Sequence, residues 1–301
     1  MRRKAHKIFK KKRRYGPLLK AAAALAAMAV LVVLGVRRLG EGESPEALLA
    51  RANGGLYTPA YLRLRGELSK KYRGVLPGRF GEAVKGVIRR LPKEAGRVIA
   101  ITLDACGGEH SGGYNDRLIN FLRGEGVPAT LFISGRWIDR HPAAFLELAR
   151  EPDFEIESHG YLHRACSVSG RGKWTVKGTR NAAEAVDEIE LNARKIEALT
   201  GRRPRFHRPG GAYSDEACAA LAKDLGLEVL TYDIYSGDAR PHAPDSAIAA
   251  NLLKYASPGG IFILHFNHPG WNEEAALRKA IPALKARGYS FVRLDAVLKP
   301  R

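Results

Sequence analysis

The chain has 301 residues, 45% of them hydrophobic, with three cysteines and with 50 Lys and Arg against 31 Asp and Glu, a net charge of +19. That length leaves ample chain for a buried core, the apolar fraction excludes disorder throughout, and three cysteines cannot frame a disulfide-stapled miniprotein. Ten of the cations crowd into residues 2–20 and no acid occurs before residue 41; with no aromatic-basic interleaving and no recognition motif, the charge marks a tail and no nucleic-acid partner is expected.

Residues 1–20 therefore read as a basic cytoplasmic tail, followed at 21–36 by sixteen uncharged, mostly apolar residues. With Pro17, Leu18 and Leu19 added and Lys20 snorkelling, the run approaches the roughly 20 residues of a bilayer span. Cations on its N-terminal side predict a single-pass signal-anchor in the cell (inner) membrane, with the N-terminus cytoplasmic and the rest periplasmic or extracellular. A cleaved signal peptide is the alternative, but Gly35-Val36-Arg37-Arg38 offers no small-x-small cleavage site. A buried helix of a soluble protein is the third reading, which ten neighbouring cations disfavour. Residues 37–96 read as a linker or membrane-proximal segment: 40–45 (Gly-Glu-Gly-Glu-Ser-Pro) is rich in breakers, and 62–87 is polar and basic with room for one or two short helices.

From residue 97 short β-branched runs alternate with amphipathic stretches. Strands are expected at 98–103, 129–134, 154–157, 206–208, 228–233, 260–264 and 290–294, and helices at 116–124, 142–150, 182–200, 214–225, 244–255 and 272–287. Asp116 and Ser214 suit N-caps, and Gly124, Gly201, Gly226 and Gly288 suit C-terminal stops. Such alternation predicts an α/β fold, a (β/α)7-type distorted barrel over 97–301, closed or nearly so.

Ionisable residues gather at the C-terminal ends of these strands: Asp104 after the first, His159 and His163 after the third, Arg208 on the fourth, Asp233 on the fifth and His265 after the sixth. In a parallel β/α barrel those ends open on one face, where active sites are built. The pair His159-Gly-Tyr-Leu-His163 can converge on one metal if the segment turns helically, and imidazole suits zinc and its first-row neighbours. Arg208 can orient the Asp104 carboxylate bidentately, and His265 beside such a site becomes a candidate acid.

These residues resemble the polysaccharide deacetylases of the NodB-homology type, carbohydrate esterase family 4. Thr102-Leu-Asp104, Ser158-His159-Gly-Tyr-Leu-His163, His207-Arg208-Pro209, the acidic stretch from Asp233 to Asp238, and Ile263-Leu-His265 resemble its five motifs in order, and Gly288-Tyr-Ser-Phe-Val-Arg-Leu294 resembles its closing strand. The resemblance implies a metal-dependent hydrolase that removes N-acetyl groups from the amino sugars of a cell-surface polysaccharide. It implies a divalent metal, zinc first, with cobalt, nickel or manganese as alternatives, on His159, His163 and Asp104. It further implies Asp104 as base aligned by Arg208, and His265 as acid supported by Asp233 or Asp238. The partners would be the N-acetylated glycan and, through the N-terminal helix, the membrane.

Ala105 departs from the family pattern, because it stands where the usual metal-binding aspartate follows the base; Asp104 itself, Glu109, His110 or water could take that position. Gly160 replaces the usual Ser or Thr, and Phe266 a common acid. Cys106 and Cys166 lie near the expected mouth. A disulfide between them that leaves Cys218 unpaired, ordinary buried thiols, and thiolate ligation of the metal are the three readings. Trp137, Trp174, Tyr161, Tyr235 and Trp271 could stack on sugar rings. Two other functions remain in view: a non-catalytic glycan-binding barrel, which Ala105 favours, and a metal-assisted hydrolase of another amide or ester.

Overall fold

A computed structural model describes residues 43–299. The expected tail at 1–20 and span at 21–36 lie outside the described residues, within which no helix is long and apolar enough to cross a membrane. Two helices come first, α1 (Pro45–Gly54) and α2 (Pro59–Lys71). Thr58 caps α2, its hydroxyl accepting the Tyr61 N–H, and Pro59 follows at a position whose N–H would lack a helical partner in any case. Short strands β1 (Phe80–Gly81) and β2 (Val87–Ile88) precede the alternating region.

That region runs β3 (Val98–Ala105), α3 (Asp116–Gly124), β4 (Ala129–Ile133), α4 (Gly135–Arg140), α5 (Pro142–Leu148), β5 (Phe154–Ser158), α6 (Ala182–Thr200), β6 (Phe206–His207), β7 (Ser214–Asp215), α7 (Glu216–Asp224), β8 (Glu228–Leu230), β9 (Ile234–Tyr235), α8 (Asp245–Tyr255), β10 (Gly260–His265), α9 (Glu273–Ala286), β11 (Ser290–Val292) and α10 (Leu294–Val297). The main sheet is parallel, in the order β2-β8-β6-β5-β4-β3-β10-β9, with β11 sharing the β4 side of β3. Among the described residues β2 and β9 do not pair, so the sheet curls into an open half-barrel and not the closed ring that the strand count suggests. The expected strand at 228–233 is two short strands, β8 and β9, separated by Thr231, Tyr232 and Asp233.

A period of two sorts the side chains. On β3, Ile99, Ile101 and Leu103 join the apolar layer beneath the helices, while Ala100 joins the inner cluster with Phe132, Phe206, Leu230, Ile261 and Ile263. Asp104 continues the inner face of its strand. On β10, Phe262 and Leu264 pack outward, Ile261 and Ile263 inward, and His265 ends the inner row. Because β10 pairs with β3 in the register His265↔Asp104, these two polar side chains stand side by side at the C-terminal edge.

The segment expected as a membrane-proximal linker is, from Pro45 onward, part of the same compact unit as the barrel. Helix α1 packs on α5 and α6, and α2 packs on α6. Buried Tyr61 donates its hydroxyl proton to Asp187 on α6, which also takes both guanidinium arms of Arg65 at 2.6 and 2.9 Å.

The disulfide joins Cys166 to Cys218, and Cys106 is the free, buried cysteine. The Cys106–Cys166 bridge, one of the three readings, does not form, because Cys166 is bridged along its backbone to Ser214 and Asp215, which places it over the first turn of α7. Closing a loop of 52 residues restricts the unfolded chain; reduction should lower stability by about 2–4 kcal/mol, read as a fall in the urea midpoint with and without reductant.

Candidate active site

Seven ionisable side chains meet over the C-terminal edge of the sheet, and strand geometry explains which ones. Ala105 packs with the outer apolar layer and has no accessible surface, so this position brings no donor to the mouth. Cys106, one residue further, is back on the inner side, where its Sγ lies 3.8 Å from His159 Nε2. Cys106, His159 and His163 each offer a ligand atom, and these atoms lie within 4.8 Å of one another.

His159 follows β5, its N–H bound to the Ile133 carbonyl of β4. Its Nδ1 is 2.8 Å from the Arg208 carbonyl, which can only accept, so Nδ1 carries a proton and Nε2 faces Cys106. The His159 and His163 rings are 4.7 Å apart. They converge without the expected helical turn: Gly160 (φ 80°) and His163 (φ 60°) both take left-handed backbone, and the loop folds around Glu188 of α6. That carboxylate accepts the N–H of Leu162 at 2.9 Å and of Arg164 at 2.8 Å. A Cβ at position 160 would lie 2.2 Å from Glu188 Oε1, so glycine here leaves room for the clamp. Cys106 as third donor is the thiolate reading, one of the three open in the sequence; Glu188 was not singled out there, and its only trace is an acid on the buried stripe of an amphipathic helix.

Asp104 is fully enclosed with Arg208. One guanidinium nitrogen donates to Asp104 Oδ1 at 2.7 Å and the other to the Thr231 carbonyl at 2.9 Å, so the contact is single and not the expected bidentate pair. The guanidinium also lies 4.0 Å over the Phe132 ring. The second oxygen of Asp104 is 3.6 Å from His159 Nε2, near the donor trio but outside it.

On the other side, His265 Nδ1 is 3.0 Å from Asp238 Oδ2, which also accepts the His265 backbone N–H. Asp238 is fixed in turn by the Ser236 hydroxyl and the Ala239 N–H. Burial by itself would lower the His265 imidazole, but the Asp238 carboxylate outweighs it and holds the ring well above the usual histidine range. Burial would raise the Cys106 thiol, yet the surrounding imidazoles of His163, His159 and His265 hold it well below its ordinary value. A thiolate among imidazoles is the donor set expected for zinc or cobalt, so these residues fit a divalent metal of borderline softness.

Asp233 does not join the group. It accepts the Ile261 N–H near the start of β10 and pairs with Arg90, four residues of strand away from His265. The break between β8 and β9 puts it at the opposite end of the sheet, and Asp238 alone supplies the acid beside His265. Glu109 and His110 are likewise absent from the donor trio.

Behind Asp238, the first residue of α9, Glu273, is buried; its Oε2 is 3.4 Å from Asn115 Nδ2 and its Oε1 has no partner. Burial, aided by Asp238, pushes this carboxyl from 4.5 up to about 8. Between those values the folded chain holds a proton that the unfolded chain has released, so stability falls as pH rises through the window. Glu273→Gln should therefore melt higher than wild type above about pH 8 and converge with it as the pH falls towards 4.5, in thermal melts across that range.

Residues 92–230 match the polysaccharide deacetylase family model. The peptidoglycan-N-acetylglucosamine deacetylase of Bacillus cereus is 28% identical over 209 residues, covering 67% of this chain and 89% of the relative. The peptidoglycan-N-acetylmuramic acid deacetylase PdaA of Bacillus subtilis is 22% identical over 192 residues, covering 63% and 68%. Among solved structures, a CE4 family pseudoenzyme from Bacillus anthracis shares the fold with a TM-score of 0.60 at 19% identity, covering 75% of this chain and 70% of its own. By its motifs, its fold and these relatives, the chain carries a polysaccharide deacetylase domain.

Proposed function

We propose that the chain is a metal-dependent hydrolase that removes N-acetyl groups from amino sugars of a cell-envelope polysaccharide. The observation that carries this reading is the register pairing of Asp104 with His265, which sets a carboxylate and an imidazole side by side next to the Cys106–His159–His163 trio. The names of the Bacillus relatives support the substrate class. Cys106, His159 and His163 would hold the metal, which when bound supplies Lewis acidity toward the acetamide carbonyl.

The chain's own residues do the rest. Asp104, held in place by Arg208, takes a proton from the attacking water. The water oxygen bonds to the carbonyl carbon, and the carbon–nitrogen bond then breaks. His265 delivers the proton that the departing amine needs, its Nδ1 held by Asp238 so that Nε2 faces the reaction. Acetate leaves and the free amine stays on the sugar. The complete Asp104–Arg208 and His265–Asp238 pairs favour turnover over mere glycan binding, despite Ala105.

A basic tail followed by the apolar run at 21–36 supports an anchor with the domain outside the cytoplasm, where such polymers lie. The Cys166–Cys218 disulfide points to the same oxidising side. Acetate release from N-acetylglucosamine oligomers and from peptidoglycan tests the function. It should cease on chelation and return with zinc or cobalt; oligomer binding without acetate from any metal-loaded sample would make the chain a glycan-binding barrel.

A further inference from the structure

Beside His265 the molecule opens a second cavity, of about 560 Å³, walled by Asp238, Arg240 and His242 on one loop and by His268, Trp271 and Asn272 on another. Trp271 lines it and lies next to His265. The indole stacks on His268 with ring centroids 3.7 Å apart and meets His265 edge-on at 5.9 Å. The two compartments also share Asp238, which lines the cavity and holds His265.

The charge in this cavity is one-sided. Asp238 is committed to His265, Ser236 and Ala239. Of the acids at the entrances to α8 and α9, Asp245 pairs with Lys279 and Glu274 with Arg278, while Glu273 is buried against Asn115. Arg240 is exposed, with its guanidinium 5.8 Å from the Tyr235 ring centroid, and among the described residues no carboxylate pairs with it. The turn that follows is tight: Ala243 N–H bonds to the Arg240 carbonyl at 3.2 Å and His242 takes left-handed backbone (φ 56°). An unneutralised guanidinium that lines the same cavity as Trp271, one ring away from a proton donor, is a place for an anion attached to a sugar.

We propose that this cavity is a subsite for a carboxylate carried by the glycan, with Arg240 as its ionic partner and Trp271 as the wall against the sugar ring. The inference rests on the deacetylase reading. In a 2-acetamido sugar the reacting nitrogen is on C2, and a carboxylate-bearing ether on O3 leaves from the adjacent ring carbon. With the nitrogen at His265, such a substituent extends past Trp271 into the cavity. A lactyl ether of the reacting sugar, as in muramic acid, and a neighbouring uronic acid both present this chemistry.

Binding separates the subsite from the catalytic proposal. The full chain carrying Asp104→Asn is titrated calorimetrically with a peptide-free oligomer of alternating N-acetylglucosamine and N-acetylmuramic acid, with its carboxyl methyl ester, and with an acetylated oligomer containing uronic acid. The free acid should bind about tenfold or more tightly than the ester, the range of one charge-assisted hydrogen bond. Adding Arg240→Ala should bring that ratio close to one, and Arg240→Lys should keep part of it. An acid-over-ester preference seen only with the uronic oligomer would support the subsite and assign the carboxylate to the neighbouring sugar. Equal binding of acid and ester, or a ratio that Arg240→Ala leaves intact, would overturn the proposal. Acetate release by the unmodified chain is read separately: none from any oligomer, with the acid preference intact, removes the deacetylase reading and leaves the subsite standing.

Discussion

Asp104→Asn is expected to lower kcat for acetate release by about a thousandfold, within the range of a lost general base, with KM and metal content nearly unchanged. Asparagine keeps an acceptor for the Arg208 N–H at 2.7 Å, so the chain should fold with a modest fall in melting temperature. Asp104→Ala should fare worse, because it strands a fully buried guanidinium, a loss of about 3–5 kcal/mol. The conservative variant separates two roles given to this residue. Asp104 lies outside the donor trio, so metal affinity measured by competition with a chromophoric chelator should hold; a parallel loss of affinity and kcat would make it a ligand and leave the base unassigned.

The second large effect is expected at Cys106. Its Sγ shares a 4.8 Å cluster with the two imidazoles and is the sole thiol among the described cysteines, since Cys166 and Cys218 are bonded to each other. Cobalt-loaded protein should therefore show a thiolate-to-metal charge-transfer band in the near ultraviolet. Cys106→Ala should abolish the band and weaken metal binding by more than about a hundredfold, beyond what loss of an outer partner costs. Cys106→Asp should bind metal without the band, since a carboxylate restores a ligand but not sulfur. A wild-type spectrum with imidazole and oxygen features alone would exclude the thiolate.

How much of this was legible in the sequence varies by residue, for physical reasons. Helices α3 and α6 match the expected 116–124 and 182–200 to the residue, because Asn115 and Asn181 cap them and apolar periodicity is strong within them. Strand β3 was legible as a continuous apolar run, and its polar end at Asp104 marked the mouth. The strand expected at 228–233 misplaced Asp233, because a β-branched, aromatic run carries no sign of the break at Thr231 that moves the pairing with β10 to Ile234. In the linker expected up to residue 96, the room for short helices over 62–87 is partly taken by α2, whereas α1 was hidden, since Ala52 is its one buried residue. Helix α4 was not foreseen either; six residues are too short for a periodic signal, though Ser134 caps it.

The cysteines show the limit most clearly. Three thiols in a chain expected outside the cytoplasm invite pairing of the two nearest the mouth, and spacing alone left that bridge, free thiols and metal ligation all open. The answer depended on which face of β3 each residue occupies. The alternation that points Asp104 inward sends Ala105 under the helices and returns Cys106 to the imidazoles, while the backbone bridge at Ser214 carries Cys166 to Cys218.

By itself the sequence determined the class of fold, the family and the residue types of the catalytic edge, because hydrophobic periodicity and strand-end polarity are local properties. Tertiary structure decided the third donor, the single acid beside His265, the open edge of the half-barrel and the unneutralised Arg240. Each depends on strand register and on left-handed turns, which bring together residues far apart in the chain and leave no mark in its local pattern.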